Sequence, residues 1–453
     1  MSRALRVAIV GSGPSGMYAA DALVSQNEFP VSVDVLDRLP VPFGLVRYGV
    51  APDHFSIRSV RDTLDKVLDK DGVRFLGNIT VGTDVAVSDL HHYFDAVIFT
   101  YGASRDRRLG IPGEDLSGSV AATDFVEWYC GHPEAELDTF ERLVGSSQGV
   151  VVVGVGNVAV DVTRVLAKTV PELDQTDMPQ HVLDALAAST VRDIHVLGRR
   201  GPAQATFTTK ELRELGELLD AEVIVDPGDV VLDAASDMAV ATDKAIARNV
   251  EVIREWSTRK ASGKSRRIFL HFCARPVELK GDGKVQAVLV ERTTLDGSGN
   301  AVGTGQFFEI PADAVVRSVG YRGTAIEGVP FDPSANVIPH QEGRVLDGGA
   351  VRRGEYVAGW IKRGPTGIIG TNKKDASATV TSLLADATAG VLPEAPEPTP
   401  GDFDAFLSER GIDVVPTSGW RAIDQAERAL GDSRGRSRTT IHETPSMLAA
   451  AQG

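Results

Sequence analysis

The sequence predicts an α/β chain built on two separate strand–turn–helix units, and three observations carry that reading. Arg6-Val-Ala-Ile-Val-Gly-Ser-Gly-Pro-Ser-Gly16 joins an apolar, β-branched run to glycines spaced GxGxxG. Gly149-Val-Val-Val-Val-Gly154-Val-Gly156-Asn-Val-Ala159 repeats the arrangement with Ala in the third place. Asp95-Ala-Val-Ile-Phe-Thr-Tyr-Gly-Ala103 recurs as Asp313-Ala-Val-Val-Arg-Ser-Val-Gly-Tyr321, one copy on either side of the second unit. Strand, tight turn and helix in register are the layout of a Rossmann-like dinucleotide-binding domain. The echo marks two crossings of the chain between domains, so the second domain is expected as an insertion into the first.

Val7–Val10 has the length and β-branching of a buried strand, and the residues after Gly16 have helix propensity and an apolar stripe. In that setting Gly11 permits the turn, Gly13 lets a pyrophosphate approach the backbone, and Gly16 lets helix and strand pack closely. The helix that follows Pro14 offers N–H groups and a positive dipole to the phosphates. A second strand, Val31–Leu36, ends at Asp37, 21 residues beyond Gly16, where a carboxylate accepts from ribose hydroxyls. The stretch to His54, punctuated by Pro and Gly, reads as a specified loop. Ile57, Val60, Leu64, Val67 and Leu68 predict one helix over Phe55–Leu68. Strands follow near Arg74 and over Ala96–Thr100, and the chain leaves the first domain through Leu109–Gly113.

In the second unit the strand Ile194–Gly198 follows a helical insertion over Pro171–Ala188 and ends in Arg199 and Arg200 instead of an acid. Paired guanidiniums present forked donors suited to a 2′-phosphate, which predicts NADP and not NAD. Beyond the insertion, Tyr356–Trp360 is expected to complete the first sheet. A glycine turn at Gly367 then opens an amphipathic helix running to Leu384. Leu392–Pro400 has the composition of a stiff linker, Phe403–Leu430 reads as a small helical appendage, and the last twenty or so residues are expected to fray. The expected division is 1–110 for the first part of one domain, 111–318 for the inserted domain, 319–390 for the second part of the first, and 391–453 for linker and appendage.

A net charge of −15 disfavours a nucleic-acid or anionic-membrane binder, because the summed field repels phosphate. Cys130 and Cys273 are the only cysteines and are far apart, so a disulfide framework, a cysteine-ligated cluster and a close redox pair lack support, and no metal site is expected. The first strand begins within the first few residues without a basic-then-apolar leader, and no apolar run reaches the roughly 18 residues of a membrane span. The expectation is a cytoplasmic protein with no membrane insertion.

These segments carry a specific likeness. Gly11–Gly16, Pro42-Phe-Gly-Leu-Val-Arg-Tyr-Gly-Val-Ala-Pro-Asp-His54, Gly156–Asp161, Gly198-Arg-Arg-Gly-Pro202 with Phe207–Glu214, and Gly359-Trp-Ile-Lys-Arg-Gly-Pro-Thr-Gly-Ile-Ile-Gly-Thr-Asn372 together resemble the adrenodoxin reductase family of NADPH-ferredoxin reductases, the actinobacterial type included. The likeness spans nearly the whole chain. Trp360, where the wider two-dinucleotide flavoenzyme pattern has Asp, is a feature of that narrower branch.

The resemblance implies two Rossmann-like dinucleotide-binding domains, one for FAD and one for NADP, with the NADP domain inserted into the FAD domain. It implies an FAD site at Gly11, Gly13, Pro14, Ser15, Gly16, Asp37, Gly44, Leu45, Val81, Trp360, Gly367, Ile368 and Ile369. NADP contacts fall on Val155, Gly156, Asn157, Val158, Arg199, Arg200, Glu211 and again Gly367. The family commonly has Glu and Ala where this chain has Asp37 and Ser15. Both changes conserve the chemistry.

The implied activity is hydride transfer from NADPH to FAD, then single electrons to a ferredoxin-type iron–sulfur protein that supplies, for example, a cytochrome P450. A helix beginning near Gly367 would aim its positive end at the N1/O2 edge of the flavin. His54 and Glu214 are the candidate catalytic polar pair, for protonating the flavin or orienting the nicotinamide, since hydride transfer itself needs no acid or base. An acidic partner requires a local positive patch, for which Arg58, Arg61, Lys66, Lys362, Arg363, Lys373 and Lys374 are available. A disulfide reductase lacks its cysteine pair, and a Baeyer–Villiger monooxygenase lacks an FxGxxxH segment. An NADPH diaphorase or quinone reductase, and a non-catalytic FAD/NADP-binding redox sensor, stay open at the level of sequence.

Overall fold

The computed structural model describes residues 3–453. They divide into two compact units, residues 3–105 with Tyr321–Gly453, and Asp106–Gly320. The second is thus an insertion in the chain of the first.

In the first unit the apolar run Leu5–Val10 is an inner strand of an eight-stranded sheet. It pairs in parallel with Val31–Leu36 on one side and Ala96–Phe99 on the other, with Val7 opposite both Val33 and Ala96. Val73–Gly77 and Ala350–Val357 extend the parallel part. Val7, Ala8 and Ile9 are wholly buried, as a strand covered on both faces must be, and this explains a continuous apolar run in place of alternation. Helix Pro14–Val24 leaves the first strand through the glycine turn and packs against the long helix Ile369–Thr388.

The second unit carries a six-stranded parallel sheet, ordered Ser119–Ala121, Ala314–Arg317, Gly149–Val153, Asp193–Leu197, Arg266–His271 and Ala221–Val225. An antiparallel sheet of Ala274–Lys280, Ala287–Leu295 and Ala301–Pro311 adjoins it. Helices Val170–Leu173 and Gln180–Ala187 form the insertion before Asp193.

Four expectations change. Phe55–Leu68 is three short pieces, Phe55–Arg58, Val60–Asp65 and a 3₁₀ turn Lys66–Asp69. The break falls at Ser59, whose hydroxyl donates to the Ser56 carbonyl at 2.8 Å and competes with the helical ladder. The late strand ends at Val357, and Trp360 opens a one-turn helix, Trp360–Arg363, after Gly359 turns the chain at φ +82°.

Residues 391–453 belong to the first unit and are not an appendage. The Ala395 amide donates to Asp95 at 2.9 Å, Val415–Pro416 adds an antiparallel edge beside Val73–Gly77, and helix Thr417–Asp432 buries Trp420 and Ile423. Nor do the last twenty residues fray: Arg436, Arg438, Thr439, Thr440 and Met447 are buried, and Thr444–Ala451 is helical. Hydrogen bonds and apolar contacts made far along the chain hold this segment down, which composition alone does not reveal.

Candidate functional site

The first glycine turn is shaped by contacts that leave no room for side chains, except at one position. Gly11 has φ +108°, and a Cβ there would lie 2.7 Å from the Tyr101 backbone. A Cβ on Gly16 would lie 2.0 Å from the Gly11 carbonyl oxygen, which also accepts the Thr100 hydroxyl at 2.7 Å. Gly13 is different: a Cβ there would meet no atom within 4 Å. The chain has kept space above Gly13 that its own atoms do not use, as a bound pyrophosphate requires. Gly13 flanks helix Pro14–Val24, which has Pro at its start, no side-chain cap and no acid in its first turn.

Asp37 stands at the end of the second strand and binds back to the turn. Its carboxylate accepts the Ser12 amide at 2.9 Å, the Ser12 hydroxyl, and the Leu39 amide at 3.0 Å. It is half-buried. Ser15 is buried and its hydroxyl donates to Asn372 Oδ1 at 3.0 Å, so the donor that Ser adds over Ala is directed at protein. Gly44 flanks the short helix Leu45–Tyr48, and a Cβ there would come within 3.2 Å of Gly13 Cα, which brings this loop onto the glycine turn. Val81 bridges Val85, and its side chain belongs to the core.

The late turn assembles on Asp375. Its carboxylate accepts the Gly359 amide at 2.6 Å and pairs with Lys362 at 2.8 Å and Arg363 at 2.9 Å. Arg363 also donates to Asn372 Oδ1 at 2.7 Å, which joins this cluster to Ser15. Trp360, thus placed, lies with its ring centroid 5.4 Å from that of Tyr321, and its buried Nε1 has no hydrogen-bond partner among the described residues. Gly367 has φ +85°, Ile368 is exposed, and Ile369 opens the twenty-residue helix Ile369–Thr388. That helix has no side-chain cap and no acid in its first turn, so the positive end of its dipole is uncompensated there.

In the second unit Gly154 has φ +136°, and a Cβ would lie 2.2 Å from the Ser318 carbonyl oxygen. Gly156 flanks helix Asn157–Ala167, again with no side-chain cap. Ala159 is wholly buried at the third place, while Val155 and Val158 are half-buried. Asn157 Oδ1 accepts the Thr208 amide at 2.9 Å, and the Val155 carbonyl accepts the Thr206 amide at 2.9 Å, so the 201–208 loop folds back over the turn.

Arg199 and Arg200 have a pinned backbone. Their carbonyls accept the Thr293 hydroxyl at 2.8 Å and the Cys273 amide at 3.0 Å. Neither guanidinium has an ion pair or hydrogen bond among the described residues. In a chain of charge −15, they are two adjacent cations at a strand end whose forked donors are directed at no protein acceptor among the described residues.

Of the two candidate catalytic residues, His54 lies in the first unit and Glu214 in the second. His54 flanks Phe55–Arg58, its carbonyl accepting the Ile57 and Arg58 amides at 3.0 and 2.9 Å. Glu214, on helix Thr209–Gly216, reaches Arg164 at 3.5 Å, a buried guanidinium that also pairs with Asp161 at 2.8 Å. Glu211, one turn earlier, is buried; burial pushes its carboxyl upward, against the Thr208 hydroxyl bonded to it at 3.0 Å.

Arg58, Lys362 and Arg363, considered for docking, have internal partners. Arg58 is buried and donates to the Arg47 and Val50 carbonyls at 3.1 and 2.7 Å, and Lys362 and Arg363 belong to Asp375. Arg61 is half-buried, and Lys66, Lys373 and Lys374 are exposed. In the second unit Lys210, Arg213 and Arg248 line one open cavity with Glu214 and Glu217. Asn372 and Asp375 were not foreseen as site residues, although both lie within or beside the glycine-rich segment that pointed to the late turn.

The family described as pyridine nucleotide-disulphide oxidoreductase matches residues 5–337. Among curated relatives, the NADPH-ferredoxin reductase FprA of Mycobacterium leprae is 43% identical over 99% of this chain and 98% of its own length. The mitochondrial NADPH:adrenodoxin oxidoreductase of Arabidopsis thaliana is 37% identical over 99% of this chain and 96% of its own. The solved structure of Mycobacterium tuberculosis FprA in complex with NADPH superposes with a TM-score of 0.91 at 40% identity, covering 100% of both chains.

Proposed function

From the chain's membership of the pyridine nucleotide-disulphide oxidoreductase family, to which it belongs, we infer that it is an FAD-dependent NADPH-ferredoxin reductase. The observation that carries the reading is the contrast between its two glycine turns. Each feeds a helix with no side-chain cap, but the strand that follows ends in a carboxylate, Asp37, in one unit and in the free pair Arg199–Arg200 in the other. One turn suits a ribose with free hydroxyls and the other a 2′-phosphate. The broad family name does not extend to disulfide chemistry here, since Cys130 and Cys273 form no disulfide with each other and Cys130 is buried.

The residues present fit FAD in the first unit. Space above Gly13 receives the pyrophosphate, Asp37 the ribose, and the Ile369 helix end the electron-rich edge of the ring. The unpartnered Trp360 N–H is a donor held beside that turn for a cofactor. When bound, FAD accepts a hydride and returns electrons one at a time, which is how a two-electron donor serves a one-electron iron–sulfur acceptor. The protein's own part is placement. Gly44, Leu45 and Val81 border the FAD cleft; Val155, Gly156, Asn157 and Val158 lie at the second phosphate turn, Arg199 and Arg200 grip the 2′-phosphate, and Glu211 and Gly367 complete the NADP contacts.

His54 and Glu214 serve as polar groups bordering the reacting rings, in protonating the flavin or orienting the nicotinamide. For Glu214 the Arg164 contact fixes the carboxylate as an oriented acceptor. The electron acceptor is a ferredoxin-type iron–sulfur protein, acidic, met by the exposed Lys66, Lys373 and Lys374, and through it a cytochrome P450 is one consumer. No helix among the described residues is long and apolar enough to cross a membrane, and we place the protein in the cytoplasm.

The test of nucleotide selection is anaerobic stopped flow with the yellow holoprotein. NADPH is expected to bleach the flavin fast and NADH slowly. Equal rates with both would remove Arg199–Arg200 as the selector.

A further inference from the structure

The loop facing the first glycine turn is held from the far end of the chain. Phe43 has φ +85°, a conformation that costs a non-glycine residue energy and persists only where surroundings enforce it. Its amide donates to the Ser12 carbonyl at 3.1 Å, and Gly44 next to it lies against Gly13. The Phe43 ring meets Trp420 edge-on at 5.6 Å. Four residues on, Arg47 is fully buried and pairs with the fully buried Glu427 through both guanidinium nitrogens, one at 3.1 Å. Glu427 also accepts Arg438 at 2.6 Å and the Ile441 amide at 2.9 Å. Burial works against the Arg47 charge, yet the Glu427 carboxylate raises its pKa above the ordinary value, so the guanidinium stays charged.

We propose that the C-terminal segment from Trp420 to Ile441 is a working part of the flavin site, and that Glu427 is the positioning residue holding the Phe43–Tyr48 turn against Ser12–Gly13. The proposal rests on the reading of that glycine turn as the FAD cradle. Its physical basis is that this segment supplies both the aromatic contact on Phe43 and the counter-charge of Arg47, beside the Ser12 hydrogen bond and the Arg58 contact. Removing Glu427 leaves a buried guanidinium without its counter-charge, and the turn must shift to solvate it. The surface that shifts is the one beside Gly13.

The experiment compares FAD release from holoprotein diluted into buffer, followed by flavin fluorescence, in wild type and Glu427→Gln. Release is expected to be about tenfold faster in the variant, equivalent to about 1.4 kcal/mol. Binding of 2′,5′-ADP, which reports the inserted unit, is expected to be unchanged. Glu427→Asp should restore part of the retention. If Glu427→Gln does not fold, the double variant Arg47→Met/Glu427→Leu removes both buried charges together and is read in the same way, with faster release expected. Unchanged release in whichever variant folds overturns the proposal. A wild type that carries no FAD overturns the reading of the site instead.

Discussion

The Asp375 carboxylate accepts the Gly359 amide at 2.6 Å, one residue before Trp360, while the same carboxylate neutralises Lys362 and Arg363. A single acid on the long helix therefore sets the turn that presents the tryptophan. Asp375→Ala would leave two half-buried cations unpaired and free the turn. The limiting rate of flavin reduction by NADPH is expected to fall by about tenfold to a hundredfold, because misplacement of the order of 1 Å has that cost. The half-saturating NADPH concentration should change little. Stopped flow separates the two, and a fall in affinity with an unchanged limiting rate would contradict the assignment.

Arg199→Ala and Arg200→Ala each remove a charged donor whose backbone stays pinned by Thr293 and Cys273. A hydrogen bond to a charged group contributes about 1.5–3 kcal/mol, so KM for NADPH is expected to rise by about tenfold or more per variant. KM for NADH should stay where it was. Steady-state kinetics with both nucleotides checks this.

Gly13→Ala and Gly16→Ala look equivalent in sequence and are opposed in structure. A Cβ on Gly16 strikes the Gly11 carbonyl at 2.0 Å, so that variant is expected to lose about 1–3 kcal/mol of stability. A Cβ on Gly13 meets nothing within 4 Å, so the protein should fold with an unchanged apo melting temperature but retain FAD poorly. Melting with and without added FAD distinguishes the two.

In the inserted unit His195 and His271 share a hydrogen bond at 3.0 Å on adjacent strands, and burial holds both well below 6.5, to about 4. Between those values the unfolded chain binds more protons than the folded one. Stability is therefore complete above about pH 6.5 and falls as pH drops toward about 4, by at most about 1.4 kcal/mol per pH unit for each histidine. Denaturant melts at pH 7, 6 and 5 should show this slope, and His195→Phe/His271→Leu should flatten it.

What the sequence made legible follows from how local each determinant is. The glycine turns, the strand before each and the Arg199–Arg200 ending are read from a dozen neighbouring residues, and the structure builds each from those residues. The break at Ser59 was hidden, because apolar spacing reports which face is buried and is indifferent to a competing hydroxyl. Arg58 was misjudged as a surface charge for a related reason: its two carbonyl acceptors, Arg47 and Val50, are supplied by the preceding segment, not by its own helix. The docking of residues 391–453 was out of reach, since Arg47 and Glu427 are 380 positions apart. Ser15 shows the same limit at the site, where its hydroxyl partner, Asn372, is 357 positions away.

The measurement that bears most directly on the whole account is reduction of cytochrome c by NADPH in the presence of the holoprotein, with and without a ferredoxin. A rate that depends on ferredoxin, saturates with it and weakens as salt rises is the predicted result. Fast bleaching of the flavin by NADPH with a cytochrome rate indifferent to ferredoxin would contradict it.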